Sequence, residues 1–211
     1  MQGLYFVTDR GLSGERPLAD VVLQAVRGGA AYVQLREKEV STRFFIEEAR
    51  QIKALLAPLQ VPLIINDRLD VALAVEADGV HVGQDDMPYA IARKLLGPKA
   101  IIGLSVETWE DVERAEPLDC DYLGVSPVFA TATKTDTKAP WGLEGLARIR
   151  AASRHPLVAI GGLNAKNAAA TVTAGADALA VVSAICAAPD PQAAAREIDG
   201  IIRAARARKQ E

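Results

Sequence analysis

The chain has few of the residues on which several common kinds of catalytic site depend. It contains two cysteines and two histidines in 211 residues. Cys120 and Cys186 form neither a CxxC motif nor a zinc-ligand spacing, and we expect both to pack as small buried side chains. No HExxH helix, serine-hydrolase elbow or Walker loop is present. We interpret His81 as a packed core histidine within a strand and His155 as a loop residue, neither belonging to a nucleophilic triad.

The sequence also lacks long apolar runs and a strong excess of charge. No segment approaches the ~18 apolar residues that cross a bilayer, and none has the layout of a signal peptide. The formal net charge is −3, which argues against nucleic acid or an anionic membrane as a partner. We therefore expect a protein of the reducing cytoplasm, which is the default compartment for such a sequence. Half of the residues are hydrophobic, which is enough to form one core, and the length predicts a single domain over residues 1–211.

Short apolar segments alternate with helix-like stretches along the whole chain. Their continuous apolar character is typical of strands buried on both faces. We predict eight strands, at 4–7, 32–35, 62–65, 79–82, 100–104, 122–125, 156–160 and 178–182. Helices are predicted at 17–28, 41–56, 69–76, 88–96, 108–115 and 143–152, with two more beginning after Asn164 and at Asp190.

Eight strand–helix units in 211 residues predict an α/β fold, a single (β/α)8 TIM barrel. The competing doubly wound sheet usually has a glycine-rich first turn, but here that turn is Thr8-Asp9-Arg10. A faint internal repeat supports the barrel. Segments 29–33, 76–80, 119–123 and 175–179 each turn into an even-numbered strand in the same way. That alternation is typical of a barrel built from repeated pairs of strands.

Charged side chains follow strands two to four of the predicted barrel. In this fold the active site lies at the carboxyl ends of the strands and in the loops that follow them. Gln34, Arg36 and Lys38 alternate along the end of strand two and therefore share one side. They predict an anion site, although an internal salt bridge with an acid of strand three is the alternative. Asp67 and Asp86 end neighbouring strands, so they predict a Mg²⁺ bridge to a phosphorylated ligand. The alternative is that such acids only cap helices or face solvent.

The second half of the predicted barrel offers mainly glycines, hydroxyls and backbone groups. Strands seven and eight end in Gly161-Gly162 and Val182-Ser183, which predicts a phosphate site unless the glycines serve only a tight turn. The loop after strand six brings two threonines and a lysine together, a composition suited to phosphate or pyrophosphate unless the loop is merely solvated. Its three polar residues are Thr131, Thr133 and Lys134. Ser105, at the end of strand five, is of a type found more often as a helix N-cap than as a ligand group.

Several motifs, in chain order, resemble the thiamine phosphate synthase family. They are LYFVTD at 4–9, VQLREK at 33–38, INDR at 65–68, GVHVGQ at 79–84, TATK at 131–134, AIGG at 159–162 and VVSAI at 181–185. The resemblance implies a TIM barrel and a transferase that joins a hydroxymethylpyrimidine diphosphate to a thiazole monophosphate, plain or carboxylated. It implies thiamine monophosphate and pyrophosphate as products, Mg²⁺ as cofactor, and a pyrimidine-stabilised cation as intermediate. One departure is Ser126-Pro127, where family members often have Gly-Pro.

The resemblance also implies a role for each matching residue. The pyrimidine diphosphate would be held by Gln34, Arg36, Lys38, Asn66, Ser105 and Lys134, of which Arg36, Lys38, Ser105 and Lys134 are expected to be catalytic. Asp67 and Asp86 would bind Mg²⁺. The thiazole phosphate would be held by Thr131, Thr133, Gly162, Val182 and Ser183.

Two other functions compete with this one. A thiazole tautomerase shares the barrel, but it would not need two metal-binding carboxylates together with the Thr-x-Thr-Lys motif. A non-catalytic protein that binds thiamine precursors should have lost some of the charged residues, and none of the expected set is missing. The sequence leaves the oligomeric state open, a homodimer included.

Overall fold

A closed barrel of parallel strands forms the centre of the computed structural model, which describes residues 1–131 and 138–209. Within those residues, eight strands pair in chain order and β8 closes onto β1. The strands are β1 Gly3–Val7, β2 Ala30–Leu35, β3 Leu63–Asn66, β4 Gly79–Val82, β5 Ile101–Val106, β6 Tyr122–Val125, β7 Leu157–Ile160 and β8 Ala178–Val181. The predicted TIM barrel is confirmed, and each predicted strand end lies within two residues of the observed one.

Helices surround the barrel and connect its strands. In chain order they are α1 Arg10–Ser13, α2 Leu18–Arg27, α3 Thr42–Leu56, α4 Leu69–Ala74, α5 Tyr89–Leu96, α6 Trp109–Ala115, α7 Gly142–Ala152, α8 Ala165–Thr173, α9 Ser183–Cys186 and α10 Pro191–Lys209. A short 3₁₀ turn, Ala57–Leu59, follows α3. The sequence did not predict α1 and α9, because four residues are too few to show helical periodicity. In the part of the chain that the structure describes, no helix combines the length and the apolar character needed to cross a bilayer.

Side-chain caps fix where several helices begin. Ser41 accepts a hydrogen bond from the Phe44 N–H at 3.2 Å, so the predicted cap of α3 is confirmed. Asn164 caps α8, also as predicted, through a reciprocal pair of bonds with Asn167. Thr108, not Ser105, caps α6. Ser105 lies within β5, so its hydroxyl is available for another purpose.

The hydrophobic core has two layers. The larger layer lies between the sheet and the helices, and it includes the outward-facing strand residues, among them Leu35 and Val80. The smaller layer fills the barrel and contains Tyr5, Val7, Ile64, Tyr122, Val158, Ala178 and Ala180. Burying one large aliphatic side chain contributes roughly 1.5–3 kcal/mol, so these layers stabilise the barrel. Cys120 and Cys186 are buried and free, as predicted.

The internal repeat has a physical basis at the amino rim, the end of the barrel at which the strands begin. An aspartate precedes each of β4, β6 and β8, and its carboxylate accepts a hydrogen bond from a backbone N–H near the start of the preceding strand. The three bonds join Asp78 to Leu63, Asp121 to Ile102 and Asp177 to Leu157, each at 2.8 Å. Backbone donors that would otherwise be left at the end of the sheet are thereby satisfied.

Each of these aspartates also contacts a cation from the helix that precedes the bonded strand. The ion pairs are Lys53–Asp78 at 3.6 Å, Arg93–Asp121 at 2.8 Å and Arg150–Asp177 at 3.1 Å. We call each set of aspartate, backbone N–H and cation an amino-rim clasp. Because one clasp joins a helix and two successive strands, it holds one pair of strands together. In the first copy of the repeat, the position that corresponds to these aspartates is Ala31, which lies within β2.

Candidate active site

A pocket with a volume of about 360 Å³ opens at the carboxyl rim, the end of the barrel at which the strands finish. Residues from the ends of all eight strands or from their following loops line it. Eleven of the residues predicted from the sequence are among them: Gln34, Arg36, Lys38, Asn66, Asp67, Asp86, Ser105, Thr131, Gly162, Val182 and Ser183. The other two, Thr133 and Lys134, lie outside the described residues. Thr131 and Lys138, which flank that segment, both line the pocket.

The end of β2 carries side chains to both sides of the sheet, as alternation predicts. Arg36 and Lys38 face the pocket, whereas Glu37 points away. The Arg36 N–H donates to Thr8 Oγ1 at 3.0 Å, which fixes the backbone just beyond the strand. Lys38 Nζ lies 2.8 Å from Asp67 Oδ2. The expected anion site therefore includes one internal ion pair, and both of its members face the pocket.

On the side of β2 that faces away from the pocket, Arg10 lies between two carboxylates with little exposed surface. It contacts Glu37 Oε1 at 2.9 Å and also Glu48 Oε1, while its guanidinium lies 4.9 Å from the centre of the Phe44 ring. Burial raises the pKa of Glu37 to about 7; the neighbouring Glu48 adds to this effect and Arg10 opposes it. The three ionisable groups join α1, the end of β2 and α3.

Asp67 and Asp86 approach each other across the ends of β3 and β4. Asp67 has a left-handed backbone, with φ at 62°, and its N–H donates to His81 O at 2.8 Å. Asp86 Oδ2 accepts from the Gly83 N–H at 2.7 Å. Burial opposes ionisation of Asp67, but hydrogen bonds with Lys38 and Asp86 lower its pKa overall.

For Asp86 the balance is the opposite. Burial raises its pKa, the Gly83 N–H opposes that effect, and the neighbouring Asp67 adds to it. The two neighbouring carboxyl groups therefore shift in opposite directions, the pKa of Asp67 downwards and that of Asp86 upwards.

The chemistry of this pair fits Mg²⁺. Mg²⁺ usually takes one or two protein carboxylates and completes its shell with water and substrate phosphate oxygens. Asp67 and Asp86 supply that number. Arg36 and Lys38 line the same pocket, and their positive charges suit a phosphate group. Among the residues that the structure describes, no group of three or more histidine, cysteine, aspartate or glutamate side chains gathers as a metal site.

On the wall of the pocket opposite β2 to β4, the loop after β6 packs directly against the two glycines that follow β7. Gly161 and Gly162 have φ of 103° and 65°, which other residues adopt only with strain. A Cβ on Gly162 would lie 2.7 Å from Ala130 O, and one on Gly161 would lie 2.7 Å from Pro127 Cβ. The Phe129 N–H donates to Gly161 O at 3.1 Å. These glycines therefore serve a close backbone approach as well as a tight turn.

The same wall continues to the start of α9. Val182 is the N-cap of that helix and Ser183 its first residue, and both face the pocket. A second, open cavity adjoins here and shares Thr131, Gly162 and Ser183 with the pocket. The backbone N–H groups of the glycines and of the helix start, together with the nearby hydroxyls, can donate hydrogen bonds to an anion such as phosphate.

A chain of hydrogen bonds across the pocket floor was missed in the sequence. His81 Nε2 lies 2.8 Å from Ser105 Oγ, and His81 Nδ1 lies 2.9 Å from Tyr122 Oη. Tyr122 Oη is 2.9 Å from Tyr5 Oη, which accepts from Gln34 Nε2 at 3.0 Å. The interpretation of His81 as a packed core histidine is therefore wrong, since its side chain is half-buried and lines the pocket.

Strand alternation was the signal that could have identified His81. Val80 and Val82 belong to the core layer outside the sheet, so the residue between them must face the interior of the barrel. His155, the other histidine, is buried outside the pocket against the carbonyl oxygens of Cys120 and Glu116.

The chain matches known proteins over nearly its whole length. Residues 4–185 match the family model described as thiamine monophosphate synthase. The thiamine-phosphate synthase of Albidiferax ferrireducens is 59% identical over 94% of this chain and 91% of its own length. That of Chloroflexus aurantiacus is 54% identical over 94% and 92%.

Solved structures agree with these matches. The thiamine phosphate pyrophosphorylase of Pyrococcus furiosus superimposes with a TM-score of 0.88 at 38% identity, over 96% of each chain. The geranylgeranylglyceryl phosphate synthase of Thermoplasma acidophilum has a TM-score of 0.72 at 14% identity and shares the fold alone. The resemblance inferred from sequence motifs, and with it the expected enzyme class of a transferase, is confirmed. The chain belongs to the thiamine monophosphate synthase family.

Proposed function

We propose that this enzyme joins 4-amino-2-methyl-5-hydroxymethylpyrimidine diphosphate to 4-methyl-5-(2-phosphooxyethyl)thiazole, giving thiamine monophosphate and pyrophosphate, or to its carboxylated form, which would also release CO2. One observation supports this most strongly. A wall with cations and paired carboxylates, and a wall made of glycines and hydroxyls, open onto the same pocket. A reaction between two phosphorylated substrates needs such an arrangement, because each anion is held while the reacting atoms meet between them.

The wall formed by the ends of β2 to β4 is proposed to hold the diphosphate. Arg36 can bind phosphate oxygens through two N–H groups at once, and Lys38 adds a mobile positive charge. Asn66, buried beside them, offers an amide to the substrate, and Lys134 is proposed to reach the same phosphates. Asp67 and Asp86 would hold Mg²⁺, which when bound would neutralise part of the diphosphate charge.

The proposed chemistry asks the protein for stabilisation of charge and not for a nucleophile. The C–O bond between the pyrimidine methylene and the diphosphate breaks, and its electron pair leaves with pyrophosphate. The resulting cation is stabilised by the electron-rich aminopyrimidine, and the thiazole nitrogen then donates its lone pair to form the new C–N bond. Arg36 and Lys38 would stabilise the developing charge on the leaving group.

The opposite wall is proposed to hold the thiazole phosphate. Gly162, Val182 and Ser183 present backbone N–H groups and one hydroxyl, and Thr131 adds a second hydroxyl from the β6 loop. Thr133 is proposed to contribute a third hydroxyl. Held from its phosphate end, the thiazole can direct its nitrogen towards the pyrimidine methylene.

The decisive experiment is incubation of the purified chain with both phosphorylated precursors and Mg²⁺, followed by detection of thiamine monophosphate and pyrophosphate. Both products should appear in equal amounts, and omission of either precursor should abolish both. Aromatisation of a thiazole carboxylate phosphate without any diphosphate would instead identify a tautomerase. Binding of both precursors without turnover would identify a non-catalytic precursor-binding protein.

A further inference from the structure

The hydrogen-bond chain at the pocket floor joins two groups that face the ligand. Gln34 stands at one end and Ser105 at the other, and both line the pocket. Tyr5 and Tyr122 connect them through the barrel interior, where their exposed fractions are 1% and 0%. Their rings also pack edge to face, with centroids 5.9 Å apart, and His81 stacks on Tyr122 at 5.4 Å. Packing therefore holds each link of the chain in place.

The protons of this chain can be assigned link by link. Gln34 Nε2 is a donor only, so the Tyr5 oxygen accepts from it. A buried hydroxyl needs an acceptor for its own proton, and Tyr122 Oη, 2.9 Å away, is in place to accept it. In this order Tyr122 accepts from Tyr5, and its own proton is directed to His81 Nδ1, 2.9 Å away. A neutral imidazole with an accepting Nδ1 carries its proton on Nε2.

The last link is the bond from His81 Nε2–H to Ser105 Oγ. Because Ser105 accepts there, its own proton is available for a group in the pocket. Burial raises the pKa of both phenols far above their ordinary range, so neither tyrosine loses the proton on which this order depends.

We propose that His81, Tyr122 and Tyr5 are positioning residues that set the hydrogen-bond polarity of the pocket. They hold Gln34 with its amide oxygen as an acceptor for the ligand and Ser105 with its hydroxyl as a donor. The pocket then selects a heteroaromatic ring that carries an N–H donor and an accepting ring nitrogen, as an aminopyrimidine does. Its application to the pyrimidine diphosphate rests on the proposed function, whereas the polarity itself does not.

A specific discrimination follows from this polarity. In an analogue whose amino group is replaced by oxygen, the exocyclic position accepts and the adjacent ring nitrogen donates, which reverses both partners. The buried floor cannot reverse one link without reversing all of them. We therefore expect kcat/KM for the oxo analogue to be lower by about a hundredfold or more, because polar groups of the site would be left unpaired.

The polarity can be measured without ligand or turnover. The chain has two histidines, so nitrogen-15 NMR of the full-length protein at about pH 8, where an ordinary imidazole is neutral, resolves their tautomers. His81→Asn identifies the His81 signals. We expect the Nε2–H tautomer of His81 in the wild type and a mixture of tautomers in Tyr122→Phe. A predominant Nδ1–H tautomer of His81 in the wild type would overturn the proposal. So would a Tyr122→Phe variant in which the Nε2–H tautomer is as predominant as in the wild type.

Kinetics test the effect on specificity. Tyr122→Phe and Tyr5→Phe break different links, so one variant keeps the test valid if the other does not fold. Each should raise KM for the pyrimidine diphosphate about tenfold, the loss expected of one ligand hydrogen bond, and reduce discrimination against the oxo analogue. KM for the thiazole phosphate should change by less than about twofold.

Tyr32→Phe is the matched control, because Tyr32 packs against the Tyr5 ring at 5.8 Å without being a link in the chain. If Tyr122→Phe and Tyr5→Phe behave like this control, the assignment of positioning residues is wrong. If the protein turns over neither substrate but His81 holds the Nε2–H tautomer, the polarity stands and the proposed function fails. The two ideas are thus tested separately.

Discussion

Asp177 at the amino rim and Asp67 at the carboxyl rim are both aspartates beside a cation, yet their surroundings differ. Asp177 Oδ2 contacts Arg150 at 3.1 Å and also accepts from the Leu157 N–H at 2.8 Å. Asp67 Oδ2 contacts Lys38 at 2.8 Å, but it faces a pocket and shares hydrogen bonding with the carboxyl group of Asp86. The first carboxylate makes contacts that stabilise the fold. The second faces the pocket.

The difference extends around both rims. At the amino rim the same clasp recurs before β4, β6 and β8, whereas the carboxyl rim carries a mixture of cations, carboxylates, hydroxyls and glycines. Repetition is expected where every unit solves the same structural problem, and variety is expected where each residue contacts a different part of a substrate. Substitutions at the two rims should therefore separate activity from stability.

The largest expected effect is on activity, from Asp67→Asn. Asparagine tolerates the left-handed backbone at this position, so the change removes charge without adding strain. We expect kcat/KM to fall by about a hundredfold or more, with little change in the thermal midpoint. The control is Asp70→Asn, an exposed carboxylate paired with Arg68 at 2.6 Å and outside the pocket. Undiminished turnover in Asp67→Asn, or in the wild type with excess chelator, would contradict the metal assignment.

A smaller loss of activity is expected from Gly162→Ala. The added Cβ would lie 2.7 Å from Ala130 O, so the β6 loop must move away from the wall proposed to hold the thiazole phosphate. We expect KM for that substrate to rise about tenfold. Gly14→Ala is the matched control, because Gly14 has nearly the same φ, 64°, and nothing within 4 Å of its would-be Cβ. Equal effects of the two changes would show that backbone strain alone is responsible.

At the amino rim, Asp177→Ala should change stability and leave activity intact. It removes the acceptor of the Leu157 N–H and the partner of Arg150. We expect the free energy of unfolding to fall by about 1–3 kcal/mol, measured by urea denaturation, with kcat/KM at 25 °C unchanged. Asp20→Ala, at an exposed position of α2, should stay within about 0.5 kcal/mol of the wild type. A large loss of activity in folded Asp177→Ala would end the separation of the two rims.

The smallest expected effect is a dependence of stability on pH at Glu37. Its folded-state pKa of about 7 lies above the ordinary value of 4.5, so between these values the folded chain binds more protons than the unfolded chain. The free energy of unfolding should therefore fall as pH rises through this window, by on the order of 1 kcal/mol, because solvent screening weakens the interactions of a partly exposed carboxyl group. Glu37→Gln should flatten this dependence in denaturation curves recorded across the window. An equally steep decline in the variant would place its origin elsewhere.

The sequence predicted the barrel because each of its strands is a continuous apolar run followed by a helical period. It predicted the pocket residues because strand alternation places Gln34, Arg36 and Lys38 on one side, and because parallel strands end at one rim. The hydrogen-bond chain on the floor could not be predicted in the same way. Tyr5 and Tyr122 are 117 residues apart, and their contact depends on closure of the barrel. The sequence does not show which group the hydroxyl of a buried tyrosine will bind.

The amino-rim clasps have a consequence for how the chain could be rearranged. Each clasp lies within one continuous stretch, from Lys53 to Asp78, from Arg93 to Asp121 or from Arg150 to Asp177. Joining the first and last residues of this chain and opening the backbone between β4 and α5 would cut none of these stretches. Such a circular permutant should fold while losing its catalytic power, because the new ends would fall beside Asp86. The ability of the chain to fold could then be measured separately from its catalytic activity in one molecule.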